Sequence, residues 1–131
     1  HARAAALAPD AVDVRERSFT VALARARQFA ATGDLIQAQA LYLHARDTIR
    51  ETTAQFGERA AYARAEAAAA LGAGDDAGAE AALKRWSALE RQALQPHLML
   101  ADLYARQGKH AAAVSERVLA GAPERRLRPL R

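Results

Sequence analysis

Phe29-Ala30-Ala31-Thr32-Gly33-Asp34-Leu35-Ile36-Gln37-Ala38 is the stretch on which the fold turns. An apolar helical face ends at Ala30, and a glycine supplies the stop. Asp34 is a residue suited to capping a new helix. The alanine five residues past the glycine is small enough for two helices to cross closely. The same step recurs at Gly74-Asp75 with Ala79, and at Gly108-Lys109 with Ala113. Each step lies between stretches able to form amphipathic helices, so each reads as a helical hairpin. Hairpins recurring at a near-constant period are the mark of a stacked helical array.

Composition agrees with an all-α chain. Alanine supplies 37 of 131 residues and aromatics only 5%. Alanine has the best helix propensity, and runs of β-branched residues are absent. The length suits one domain. Small side chains favour thin two-layer packing and leave little to wall a deep pocket, which weighs against an enzyme. There is no cysteine, so disulfides, thiol catalysis and cysteine-zinc sites are excluded. No apolar run reaches the length of a membrane span, and no signal-peptide pattern is visible.

The net charge is +4, but the last eight residues, Glu124 to Arg131, carry +3 of it. The remaining body is almost balanced and lacks the basic stripe a nucleic-acid binder needs. Residues 124–131 therefore read as a basic tail beside a domain spanning 1–123, and no nucleic acid is expected on the folded body.

The helices follow from their punctuation. Pro9-Asp10 opens the first long helix, with Phe19, Leu23, Ala26, Phe29 and Ala30 on one face. Residues 4–8 read as the last turns of an earlier helix stopped by Pro9, and all four prolines fall at helix ends. The start at His1 rather than Met marks an excised piece. The second helix buries Leu35, Ala38, Leu41, Tyr42 and Ala45, and stops before Gly57. In the alanine-rich third, roughly 56–73, Tyr62, Ala65 and Ala69 are the expected buried face. The fourth presents Ala79, Leu83, Trp86 and Leu89, with Glu80 and Lys84 paired on the surface. Pro96 begins the fifth, whose stripe is Leu100, Ala101, Leu103 and Tyr104, and the sixth ends near Pro123. The expectation is about six antiparallel helices in three hairpins, near 11–54, 56–91 and 96–120.

At this point the chain resembles the tetratricopeptide repeat family of bacterial proteins. Phe29, Gly33-Asp34-Leu35, Ala38, Leu41-Tyr42 and Ala45 fit that repeat well, as do Leu100-Ala101, Tyr104, Gly108 and Ala113. Ala70, Gly74, Ala79, Leu83 and Trp86 fit it less well. Arg25, Glu66, Asp76 and Arg117 stand where the family is usually apolar. From Gly33 to Gly74 is 41 residues, and from Gly74 to Gly108 is 34, the family's standard period. The extra seven are two helical turns, which lengthen a hairpin without rotating its apolar face. The longer repeat, with Gly57-Glu58-Arg59 between pairs, is similar to those of bacterial regulatory proteins.

The resemblance implies a right-handed α-α superhelix with a concave groove lined by the first helix of each pair. The family's groove-facing spacing falls on Thr20, Leu23 and Arg27, on Arg64 and Ala68, and on Leu98, Asp102 and Arg106. Arg27, Arg64 and Arg106 would then line the groove. Arginine forks suit carboxylates, so an acidic segment or a free C-terminal carboxylate is the expected partner.

No residue set supports chemistry. His44, His97 and His110 lack a second ligand at helical spacing, so no metal is expected. Asp75-Asp76 reads as a helix cap. Ser18, Ser87 and Ser115 lack a nucleophile elbow, and no cofactor motif is present. Trp86, a lone large aromatic, reads as core packing at a helix crossing, with an exposed ligand-stacking platform as the alternative. The leading expectation is a non-enzymatic scaffold for protein–protein interaction. The alternatives are a sensor or oligomerisation arm of a bacterial signalling protein, and a periplasmic scaffold of a polysaccharide-export or envelope assembly. Cytoplasm and periplasm both stay open, with cytoplasm the first expectation. Self-association through the uncapped array ends is a further expectation.

Overall fold

The computed structural model describes the backbone of residues 2–121 and the side chains of residues 11–121. The tail at 124–131 and the stop at Pro123 lie outside the described residues. Six helices follow one another: α1 (Ala2–Ala31), α2 (Leu35–Phe56), α3 (Ala60–Ala73), α4 (Asp76–Leu89), α5 (Gln95–Arg106) and α6 (His110–Leu119). No strand occurs among the described residues. Each helix packs on the next, and among the described residues α1 and α3 are the one non-consecutive pair that touches. Short turns force consecutive helices to fold back on each other. The result is an all-α stack of three hairpins.

The turns work as their residues dictate. Gly74 closes α3 in the left-handed region at φ +80°, and its N–H reaches back to Ala70 and Leu71. Only glycine takes this conformation without penalty. Asp75 Oδ1 then accepts from the Gly78 N–H at 2.9 Å, capping α4. Asp34 caps α2 in the same way through the Gln37 N–H at 3.3 Å. Gly72 has a different reason to be glycine: a Cβ there would come within 2.5 Å of the Tyr42 ring. That ring lies across the end of α3, in the crowded joint between the first two hairpins.

The first helix corrects the sequence reading. Pro9 neither ends a helix nor precedes one, because α1 runs unbroken from Ala2 through it. Asp10 is consequently an interior residue and not a cap. An interior proline removes one donor from the ladder and crowds the carbonyl four residues before it, at a cost of about 3 kcal/mol. The alanines at 2, 4, 5, 6 and 8 have the propensity to carry the backbone across that gap. The third helix also starts later than expected, at Ala60, leaving Gly57-Glu58-Arg59 as the connector.

Packing follows the expected faces. Phe19, Ala22, Leu23 and Ala26 of α1 meet Ala38, Tyr42, Ala45 and Ile49 of α2, joined by Tyr62, Ala69 and Ala73 of α3. A second cluster gathers Ala63, Ala67, Ala82, Leu83, Trp86, Leu100, Tyr104 and Ala113 from the last four helices. Between them Ala70, Ala79 and Leu103 form a three-helix junction. Leu35 and Leu89, expected inside, are 67% and 42% exposed. Leu35 is the first residue of α2, where the helix begins outside the hairpin contact.

Glu66, which breaks the apolar pattern of α3, is buried. Its carboxylate takes Arg50 Nε of α2 at 3.1 Å and Arg85 Nη2 of α4 at 2.7 Å. Arg85 also approaches Glu58 at 3.4 Å. A buried carboxylate is tolerated when paired and hydrogen-bonded, and this one ties three helices.

Candidate functional site

The concave side of α1 and α3 encloses a cavity of about 480 Å³. The lengthened first hairpin gives α1 a long inner stripe, on which Glu16, Thr20, Leu23 and Arg27 recur at helical spacing. α3 adds Ala61, Arg64, Ala65 and Ala68, α4 adds Trp86, and α5 adds Gln95 and Met99. The floor is apolar because the alanines of α3 leave room that Leu23, Met99 and the aromatic rings only partly fill.

Two poles mark the wall. At one, Tyr62 donates its hydroxyl to Glu16 Oε2 at 2.6 Å and stands edge-on to Phe19, with centroids 6.0 Å apart. Arg59 stacks over Tyr62 at 5.3 Å and reaches Glu16 at 3.6 Å. The carboxylate here is already partnered. At the other, Arg64 lies over the Trp86 ring at 5.9 Å, and neither Arg64 nor Arg27 has a carboxylate partner among the described residues. Stacking on an aromatic face orients a guanidinium while leaving its edge free to donate. Trp86 itself is buried and donates Nε1–H to Glu90 at 2.6 Å. It is core and groove wall together.

Of the residues that sequence spacing places in a groove, Thr20, Leu23, Arg27, Arg64 and Ala68 come together in this cavity. Leu98, Asp102 and Arg106 do not line it; all three are exposed on α5. Asp102 and Arg106 lie one and two turns beyond Met99 on roughly the same helical stripe, so the proposed arginine row reduces to Arg27 and Arg64 at the cavity. Glu16, Tyr62, Gln95 and Met99 were missed. The i,i+4 spacing of Gln95 and Met99 was a readable signal, whereas Tyr62 was read as pure core.

Tyr62 carries a testable electrostatic signature. Burial, the hydrogen bond to Glu16 and the charge of that carboxylate push its phenol up to about 12, with Arg59 opposing. The folded state thus keeps a proton that the unfolded chain releases near pH 10. Stability is full below pH 10 and falls as pH rises from 10 to 12, by about 2–3 kcal/mol. Denaturant unfolding across that window should show the loss, and Tyr62→Phe should remove most of it. Tyr104, which donates to Glu80 at 2.9 Å, and Lys84, which pairs with the same carboxylate, are also raised and add to the loss over this range.

One histidine is not isolated. His97 donates its Nδ1–H to Glu116 Oε1 at 2.9 Å and faces Ser87 Oγ at 3.2 Å through Nε2. A hydroxyl, an imidazole and a carboxylate in this order resemble a nucleophile, its base and an orienting acid. Ser87 sits within α4, and none of the three is among the residues that line the groove cavity. The chain of contacts links α4, α5 and α6. The three came from separate helices, so no spacing in the sequence revealed them. No group of three or more metal-ligating side chains occurs among the described residues. No described helix is long and apolar enough to cross a membrane. Compared with known family models, curated proteins and solved structures, the chain gives no match.

Proposed function

We propose that this chain is a non-enzymatic scaffold of tetratricopeptide type that binds a protein segment in the groove formed by α1, α3 and α5. The observation carrying this reading is the pair Arg27 and Arg64, without carboxylate partners at the edge of an apolar cavity. An apolar floor with a few convergent donors suits a side chain inserted beside a carboxylate. The occupant is therefore an extended or helical segment with an apolar residue next to an acidic one, or next to its own C-terminus.

Trp86, the single tryptophan, lines the cavity and reports its occupancy directly. Titration with a Leu-Glu-rich peptide should shift Trp86 emission saturably. Arg27→Glu with Arg64→Glu should weaken that binding about tenfold or more, because like charges now face the ligand. Unchanged affinity in the double variant would remove the groove from consideration.

A further inference from the structure

A second groove lies on α1 and α2, on the side away from α3. It has a volume of about 460 Å³ and is walled by Val14, Arg17, Val21 and Arg25 of α1 with Leu41 and His44 of α2. Val14 and Val21 are 62% and 51% exposed. On its other side α2 turns Gln39 towards the end of α3, and Arg46 and Arg50 towards Asp75 and Glu66.

The internal register shows what kind of surface this is. Twelve and eight residues before the turn glycine, α3 carries Tyr62 and Glu66, and α5 carries Pro96 and Leu100. All four are buried. Glu66 is held by Arg50 of the preceding hairpin, and Leu100 packs in one cluster with Leu83 and Trp86 of α4. At those same two positions α1 has Val21 and Arg25, both exposed. This groove continues the series of inter-hairpin seats, and no described helix lies in it.

Charge identifies the occupant. Arg25 stands where α3 has the acid that meets an arginine from the preceding helix, so the polarity of the seat is inverted. Arg17 and Arg25 have no carboxylate partner among the described residues, and no acidic side chain lines the groove. We infer that this groove seats an amphipathic helix of a partner protein, its apolar stripe on Val14, Val21 and Leu41 and its flanking carboxylates on Arg17 and Arg25. The valines argue for a protein helix over a bare polyanion, which gains nothing from apolar surface.

The test titrates the full chain into a fluorescein-labelled helical peptide of about twenty residues, a Leu-Ala stripe flanked by glutamates. Controls are its lysine-flanked twin and a single-stranded oligonucleotide, all read by anisotropy. The glutamate peptide should bind at least about tenfold tighter than the lysine twin. Arg17→Glu with Arg25→Glu, and separately Val21→Asp, should each weaken it by about tenfold or more, with circular dichroism unchanged. Because such a peptide also suits the concave groove, these titrations are run in the Arg27→Glu with Arg64→Glu background, where binding should persist and Trp86 emission should not move. The seat is overturned if the two peptides bind alike or not at all, or if the Arg17/Arg25 variant binds normally. It is equally overturned if Arg27/Arg64 substitution abolishes binding, which assigns the peptide to the concave groove. Oligonucleotide binding that survives Val21→Asp would mark a polyanion site instead. Concentration-dependent sedimentation that Val21→Asp abolishes would mark a self-association face.

Discussion

Replacing Arg50 and Arg85 together with leucine is expected to lower the stability of the fold by about 3 kcal/mol. Both guanidiniums end on Glu66, whose side chain is only 6% exposed between α2 and α4. Without them a carboxylate is left buried with its charge uncompensated, and desolvation dominates. Removal of the acid should be milder. In Glu66→Leu the stranded groups are Arg50 and Arg85, 46% and 36% exposed, which can turn to water, so about 1 kcal/mol is the expected loss. The triple leucine variant should recover most of the deficit, because a buried ion cluster replaced whole by apolar groups costs little. Urea unfolding followed by far-ultraviolet circular dichroism decides it. If the arginine pair proves no more costly to remove than Glu66, the burial argument fails.

Ala79→Leu is expected to cost about 3 kcal/mol, at the upper end for overpacking. Ala79 has no exposed surface and meets Ala70 of α3 and Leu103 of α5, so three extra carbons have nowhere to go without parting two hairpins. Interiors at crystal-like density answer such an insertion by shifting backbone and forcing rotamers. Ala81→Leu, exposed on the same helix, adds the same atoms and should change stability by no more than about 0.5 kcal/mol. Equal midpoints for the two variants in thermal melts would mean that α4 does not cross its neighbours closely, and the small-residue reading of Ala38, Ala79 and Ala113 would fall with it.

Legibility differed by element for physical reasons. The turn at Gly33-Asp34 could be read because its requirements are local: a left-handed residue and an oxygen three residues ahead of an N–H. The same holds for Gly74-Asp75, whose cap is seen at 2.9 Å. Pro9 was misread because proline's local signal is a stop, while α1 continues through it. Glu66 looked like a fault in the pattern of α3, since its partners lie 16 and 19 residues away on other helices. His97 looked isolated for the same reason, with Ser87 ten residues before it and Glu116 nineteen after.

By itself the sequence determined the helix class, the three turns and most of the buried stripes, because helical periodicity and capping are set by residues within four positions of each other. The spacing carried over from the family resemblance added Thr20, Leu23, Arg27, Arg64 and Ala68, which line one cavity. Tertiary structure alone decided which side chains from different helices meet. It gave Glu66 two arginines and linked Ser87, His97 and Glu116. It also left Leu98, Asp102 and Arg106 outside the cavity. Such pairings depend on how far each hairpin shifts and rotates on the last, a displacement fixed by the packing of many small side chains that no local pattern encodes.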